Sequence, residues 1–158
     1  MGQQQLLLLV LGIVIVGLAV VVGINAFGEN QKRANADALV NDGLRIASDV
    51  QAFALKPEQF GGAGGFDGIE SITNSSEFFQ NSLGYSLNGE TEYQNVNGQF
   101  IVSGGGGSDL VITATNNDQS NEVYVTVCGV TSSEILTRID YQGSSGSVSA
   151  ATCDGSST

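Results

Sequence analysis

The chain has 158 residues, with five basic side chains against sixteen acidic ones and a formal net charge of −11. That balance argues against nucleic acid as a partner, because phosphates call for a basic surface, and it suits a solvated exterior that repels its like. Histidine and tryptophan are absent, and the roughly 130 residues outside an apolar N-terminal run leave room for one modest domain.

The first predicted element is that run. Residues 6–24 are nineteen positions filled only by Leu, Val, Ile, Ala and Gly. As a helix they measure about 28 Å, close to the ~30 Å hydrocarbon core of a bilayer. A cleaved secretory signal has a shorter apolar core of ~7–15 residues and a small-residue cleavage site, whereas Asn25-Ala26-Phe27-Gly28-Glu29-Asn30 is polar and bulky. A helix apolar on every side has no obvious place inside a small polar domain. The run therefore reads as membrane-spanning or membrane-derived. Only Met1, Gly2, Gln3, Gln4 and Gln5 precede it, and Lys32 and Arg33 follow it. By the positive-inside rule those two cations would place the C-terminal side in the cytoplasm. An upstream basic leader, or a dedicated pathway that sets orientation, would reverse that.

The apolar pattern continues with a new period. Leu39, Gly43, Ile46, Val50 and Phe53 recur at steps of four, three, four and three, widened by Ala47 and Ala54. Asp37, Asn41, Asp42, Arg45, Ser48, Asp49 and Gln51 lie between them, so residues 30–55 form an amphipathic helix. Lys56-Pro57 ends it, since the residue before proline avoids the α region. With no strong breaker but Gly28, the two segments read as one helix over residues 4–55.

Residues 61–68, GGAGGFDG, form a flexible loop. Residues 69–83 have helical spacing at Ile69, Ile72, Phe79 and Leu83. Residues 92–96 and 99–102 read as strands joined by a type I′ turn at Asn97-Gly98. A second turn at 104–107 leads to strands over 110–114 and 123–127, linked by the polar stretch 115–122. Residues 133–139 read as a short helix capped within 131–133, residues 148–152 as a last strand carrying Cys153, and 154–158 as a loose tail. The resulting fold class is α+β: a long N-terminal helix whose second half packs on a small antiparallel sheet of about four strands. Residues 3–29 are the apolar half of the helix and 30–158 the globular part.

Cys128 and Cys153 are too few for a zinc site without histidine, and their spacing is not C-x-x-C. A disulfide is the simplest reading and places the domain in an oxidising compartment; two buried free thiols are the alternative. Closing a loop of about 25 residues contributes roughly 3–4 kcal/mol. No catalytic set stands out. Glu90/Glu92, or a serine with Lys56, would be the candidates, and solvated loop charge explains both better. Asn116-Asn117-Asp118 with Glu122 lacks the calcium-loop spacing. Asn74-Ser75-Ser76 matches a glycosylation sequon, residues 104–107 have no lysine to make a phosphate loop, and Phe27 and Phe53 read as packing rather than a conduction path. No metal and no cofactor are expected.

An apolar helix, an amphipathic continuation, a β-sheet head and a late cysteine pair together resemble the type IV pilin family, which includes pseudopilins and archaeal pilins. The resemblance is specific over residues 2–55 and architectural beyond them, where Cys128 and Cys153 stand at the family's C-terminal disulfide loop. It implies that a prepilin peptidase cuts after Gly2, leaving Gln3 as the first mature residue, commonly N-methylated; the other register starts at Met1. It implies a subunit that waits in the inner membrane. Pilus assembly machinery then moves it into an extracellular filament of its own copies. The core would be built from Leu6, Leu7, Leu8, Leu9, Val10, Leu11, Ile13, Val14, Ile15, Val16, Leu18, Val20, Val21, Val22, Ile24 and Phe27. Gly12, Gly17, Gly23 and Gly28 would allow close approach or local unwinding, or are simply the glycine common in membrane helices. The family's glutamate near the mature N-terminus is missing: the matching positions are Gln5 or Leu7, depending on register. A pseudopilin of a secretion machine, or a helix-anchored envelope protein that does not polymerise, would share most of these features.

Overall fold

The computed structural model describes residues 2–66, 69, 75–87, 92–104, 109–116, 121–140 and 150–153. The chain forms one long helix, α1 (Gly2–Leu55), and a five-stranded antiparallel sheet against which the second half of that helix packs. It divides into two compact units, Met1–Ala34 and Asn35–Thr158. The fold class is α+β, as the sequence implies.

Within the second unit, α1 buries Ala36, Leu39, Gly43, Ile46, Ala47, Val50 and Ala54. These follow one another at helical spacing, so they form one stripe. Phe53 is half-buried at its edge and meets Phe78 edge-on, ring centroids 5.8 Å apart. The helix ends at the predicted place. Pro57 takes an extended conformation, a single 3₁₀ turn follows over Glu58–Phe60, and Gly61 closes it in the left-handed region, its N–H bonded to the Glu58 carbonyl.

The sheet is a meander of β1 (Tyr93–Gln94), β2 (Gln99–Gly104), β3 (Leu110–Thr115), β4 (Glu122–Val127) and β5 (Ile135–Asp140), each paired with its neighbour in sequence. Alternation selects the inner face. Phe100 and Val102, Leu110, Ile112 and Ala114, and Val123, Val125 and Val127 all enter one core with the α1 stripe, Ile69, Phe78 and Phe79. The approach of helix to sheet is close at Gly43, where an added Cβ would lie 2.8 Å from Val125 Cγ2.

Three elements differ from the sequence reading. Residues 133–139 are not a helix. A 3₁₀ turn at Ser132–Glu134 leads straight into β5, which pairs Ile135, Thr137 and Ile139 with Val127, Val125 and Val123. Ile135 and Ile139 are four apart, a step that puts two side chains on one face of a helix or of a strand alike, and a free edge of β4 decides between them. The predicted cap is real but serves the 3₁₀ turn: the Thr131 N–H and hydroxyl both donate to Glu134 Oε2, at 2.9 and 2.7 Å. Among the described residues of 69–83, an α turn, Ser75–Glu77, runs into a π turn, Phe78–Ser82, while residues 70–74, Ile72 with them, lie outside the described residues. Of the last predicted strand, residues 150–152 are irregular and 148–149 lie outside the described residues.

The β1–β2 reversal also differs. Asn95 N–H bonds to the Gly98 carbonyl, so the chain turns at Val96-Asn97, one residue earlier than a type I′ Asn-Gly turn. Gly98 is not in the left-handed region. Instead the Asn95 side-chain oxygen accepts the N–H groups of Asn97 and Gly98, at 2.9 and 3.0 Å. Asp42 on α1 accepts both asparagine amides, Asn95 at 2.8 Å and Asn97 at 2.7 Å. The turn is thus tied to the helix, and Gly98 sits where a Cβ would meet the Thr115 carbonyl and Leu39 Cδ2. Gly98→Ala is expected to destabilise the fold by about 1–3 kcal/mol, the usual cost of overpacking. Denaturant unfolding in detergent checks it, and an unchanged midpoint would show that the turn moves aside freely.

Candidate assembly surface

The sixteen residues expected to form a filament or membrane core all lie on the first part of α1, and all are exposed, from 51% at Leu11 to 75% at Phe27. Exposure on every side means that no face of this segment is covered by the chain itself. The helix is long and apolar enough to cross a membrane, and none of its most apolar stretch is buried. Fully burying one such side chain is worth about 1.5–3 kcal/mol, so covering sixteen gains roughly tens of kcal/mol. That exceeds the ~5–15 kcal/mol net stability of a typical domain. The cover has to come from outside the described fold, as it does for a membrane anchor or a signal sequence.

Gly2 and Gln3 lie in the exposed first turn of α1. No acidic residue lies in that turn, and Gln5 and Leu7 are exposed. Gly12, Gly17, Gly23 and Gly28 all face open space. Of the two phenylalanines considered for a conduction path, Phe53 packs on Phe78 while Phe27 is open to solvent.

In the second unit Cys128 and Cys153 are bonded, with Cα atoms 5.5 Å apart. The bond ties the C-terminal segment to the end of β4. Thr126, fully buried although its register points it away from the core face, donates its hydroxyl to the Ala151 carbonyl at 3.0 Å, and Ala151 is itself buried. The segment therefore covers part of the sheet's second face. Gln51 on α1 reaches the adjoining loop, donating to the carbonyls of Gly129 and Thr131 at 2.8 Å each.

A cleft of about 800 Å³ opens on the sheet unit, lined by Arg45, Asp49, Lys56, Tyr85, Tyr93 and Gln94 among others. Its wall is an aromatic cluster. Tyr85 and Tyr93 ring centroids are 4.6 Å apart, and Phe79 and Phe100 pack behind Tyr93 at 5.7 and 5.8 Å. Tyr85 donates its hydroxyl to Asp49. Burial first, then the hydrogen bond to Asp49, push the Tyr85 phenol well above its usual range. Sequence reasoning did not assemble this cleft. Arg45 and Lys56 are eleven apart and so share one side of the helix, but nothing in the pattern announces that Tyr85 and Tyr93 fold against them.

The remaining candidates stay apart. Among the described residues no three of Cys, Asp and Glu gather where they could hold a metal ion. Asn116 donates its amide to the Asn97 carbonyl at 2.6 Å, while Asn117, Asp118, Glu90 and Asn74 lie outside the described residues. Lys56 stands in the cleft, and Glu92 is half-buried beside β1.

Two outcomes are expected. Cys128→Ser with Cys153→Ser should lower the stability of the sheet unit by about 3–4 kcal/mol, read as a shifted denaturant midpoint, and reduction of the parent should reproduce it. At high pH, Tyr124, pushed up to about 12 by burial and then by its hydrogen bond to Glu122, keeps its proton after an unfolded-chain tyrosine has lost its own near 10. A raised folded pKa means stability that is whole below pH 10 and is lost as pH climbs toward 12. Tyr124→Phe should flatten that fall, measured by unfolding at pH 9, 10.5 and 12; an unaltered slope would remove Tyr124 as its source. No family model, no curated protein and no solved structure matches the chain.

Proposed function

We propose that the chain is the structural subunit of an extracellular type IV pilus-like filament. The observation that carries this reading is the helical segment with sixteen exposed apolar side chains, continuous in sequence with a folded, disulfide-bonded sheet unit. Before assembly the apolar segment resides in the cytoplasmic membrane. Prepilin peptidase removes the leader after Gly2, and assembly machinery then moves the subunit out of the lipid. Lipid contacts are replaced by contacts with the apolar helices of other copies. The exchange is apolar for apolar, so it asks for little net free energy per subunit and is decided by packing. The acidic, Ser/Thr/Gly-rich sheet units form the water-facing exterior, and the disulfide suits a compartment outside the cytoplasm.

Near the N-terminus the proposed assembly departs from the family. A buried ammonium normally calls for a carboxylate, and the first turn has none. The amides of Gln3, Gln4 and Gln5 solvate the terminus by hydrogen bonding without neutralising it.

Mass spectrometry of material sheared from the cell surface and left unreduced tests the reading. The expected result is visible filaments whose N-terminal peptide begins at Gln3, or is N-methylated at whichever residue leads, with Cys128 linked to Cys153. A chain that stays in the membrane fraction unprocessed would overturn it and leave a permanent helix anchor. A processed chain that never reaches the surface would point to a pseudopilin instead.

A further inference from the structure

Fifteen of the sixteen acidic residues, all but Glu29, belong to the sheet unit, which has only three basic residues, Arg45, Lys56 and Arg138. Arg138 already has an interaction partner. Arg45 and Lys56 are both exposed, and neither forms an ion pair among the described residues. Both line the same cleft. Asp49 stands between them on the helix and accepts the Tyr85 hydroxyl, so the cleft holds two cations and one carboxylate. The backbone positions of the two cations are separated by roughly 16 Å of helical rise, eleven residues at about 1.5 Å each, with Lys56 standing just past the end of α1. Ala52 between them has too short a side chain to fill the space.

We propose that this cleft is the docking socket for a neighbouring copy of the chain, whose carboxylates engage Arg45 and Lys56. The proposal rests on the filament reading and says where its outer units touch. Packing copies together brings like charge against like charge, and a directly apposed pair of carboxylates opposes contact. Relief requires cations that are not already spent, and in this unit those two share one concave surface. The socket is formed before the neighbour arrives. The Tyr85–Tyr93–Phe79–Phe100 cluster fixes its wall, and the Asp49–Tyr85 bond fixes the wall to the helix, so little ordering is left for the moment of contact. Two cations about three turns apart offer two points of attachment, which fixes a register that one cation would leave free. The apolar helices hold the copies together and the socket sets how the outer units meet, since exposed charge pairs contribute more to register than to affinity.

The test uses filaments of the full chain. A water-soluble carbodiimide joins an ammonium to a carboxylate only when the two are in contact. The expected result is a covalent dimer in which a Lys56 peptide is linked to an acidic peptide of the second copy. R45E/K56E is expected to reduce sheared filament at least tenfold while the Cys128–Cys153 bond and protease resistance of the membrane-held subunit stay as in the parent, and R45K/K56R is expected to keep filaments. Double-reversal filaments at parental amounts, or parental filaments with no intermolecular link at Lys56, would overturn the socket alone. A parent chain that yields no filament at all would overturn the filament reading beneath it.

Discussion

Sixteen apolar side chains open to water on one helical segment set the terms for everything else about this protein. The free energy available from covering them is larger than the net stability of the folded unit that follows them in sequence. No rearrangement of that unit could remove the debt, because a helix apolar on every side offers no polar face to leave outside. Cover for this segment has to come from outside the described fold, as it does for a membrane anchor or a signal sequence.

The sheet unit solves an opposite problem. It must remain soluble while presenting one α-helical stripe to a sheet, and it does so by bringing backbones close. Gly43 lets α1 settle against Val125, and Gly98 lets the β1–β2 turn lie under Leu39 and against the Thr115 carbonyl. Polar ties then hold the helix where the small residues allow it to sit: Asp42 to Asn95 and Asn97, Gln51 to the carbonyls of Gly129 and Thr131, and Asp49 to Tyr85. Each runs from the flank of the apolar stripe to a loop at the margin of the sheet, so the stripe sets how α1 is rotated and the ties set its position along the sheet.

Much of this was legible in the residues. The stripe on α1 is long and strictly periodic, and the proline at position 57 ends it where expected. Strands β3 and β4 were read over residues 110–114 and 123–127 from apolar residues at every second position, and the late cysteine pair had one economical partner arrangement. What escaped was short or dependent on partners. The segment Ile135–Asp140 carries a spacing common to helix and strand, and only the open edge of β4 settles it. At Asn97-Gly98 the expected turn type is displaced by one residue because the Asn95 side chain satisfies the backbone and Asp42 holds the amides. The cleft beside Arg45 and Lys56 was invisible for the same reason: its aromatic wall comes from Phe79, Tyr85, Tyr93 and Phe100, far along the chain from both cations and brought there by the core.

The disulfide has a consequence for copies kept at close quarters. Its two cysteines flank β5 in sequence, so the whole edge strand sits inside a covalent ring whose ends meet at the end of β4. An edge strand on a crowded surface is an invitation to exchange, in which one copy lends its strand to another and the pair can no longer separate. Here Cys128, just after β4, is joined to Cys153, so lending the edge strand to a second copy would mean lending the closed ring with it.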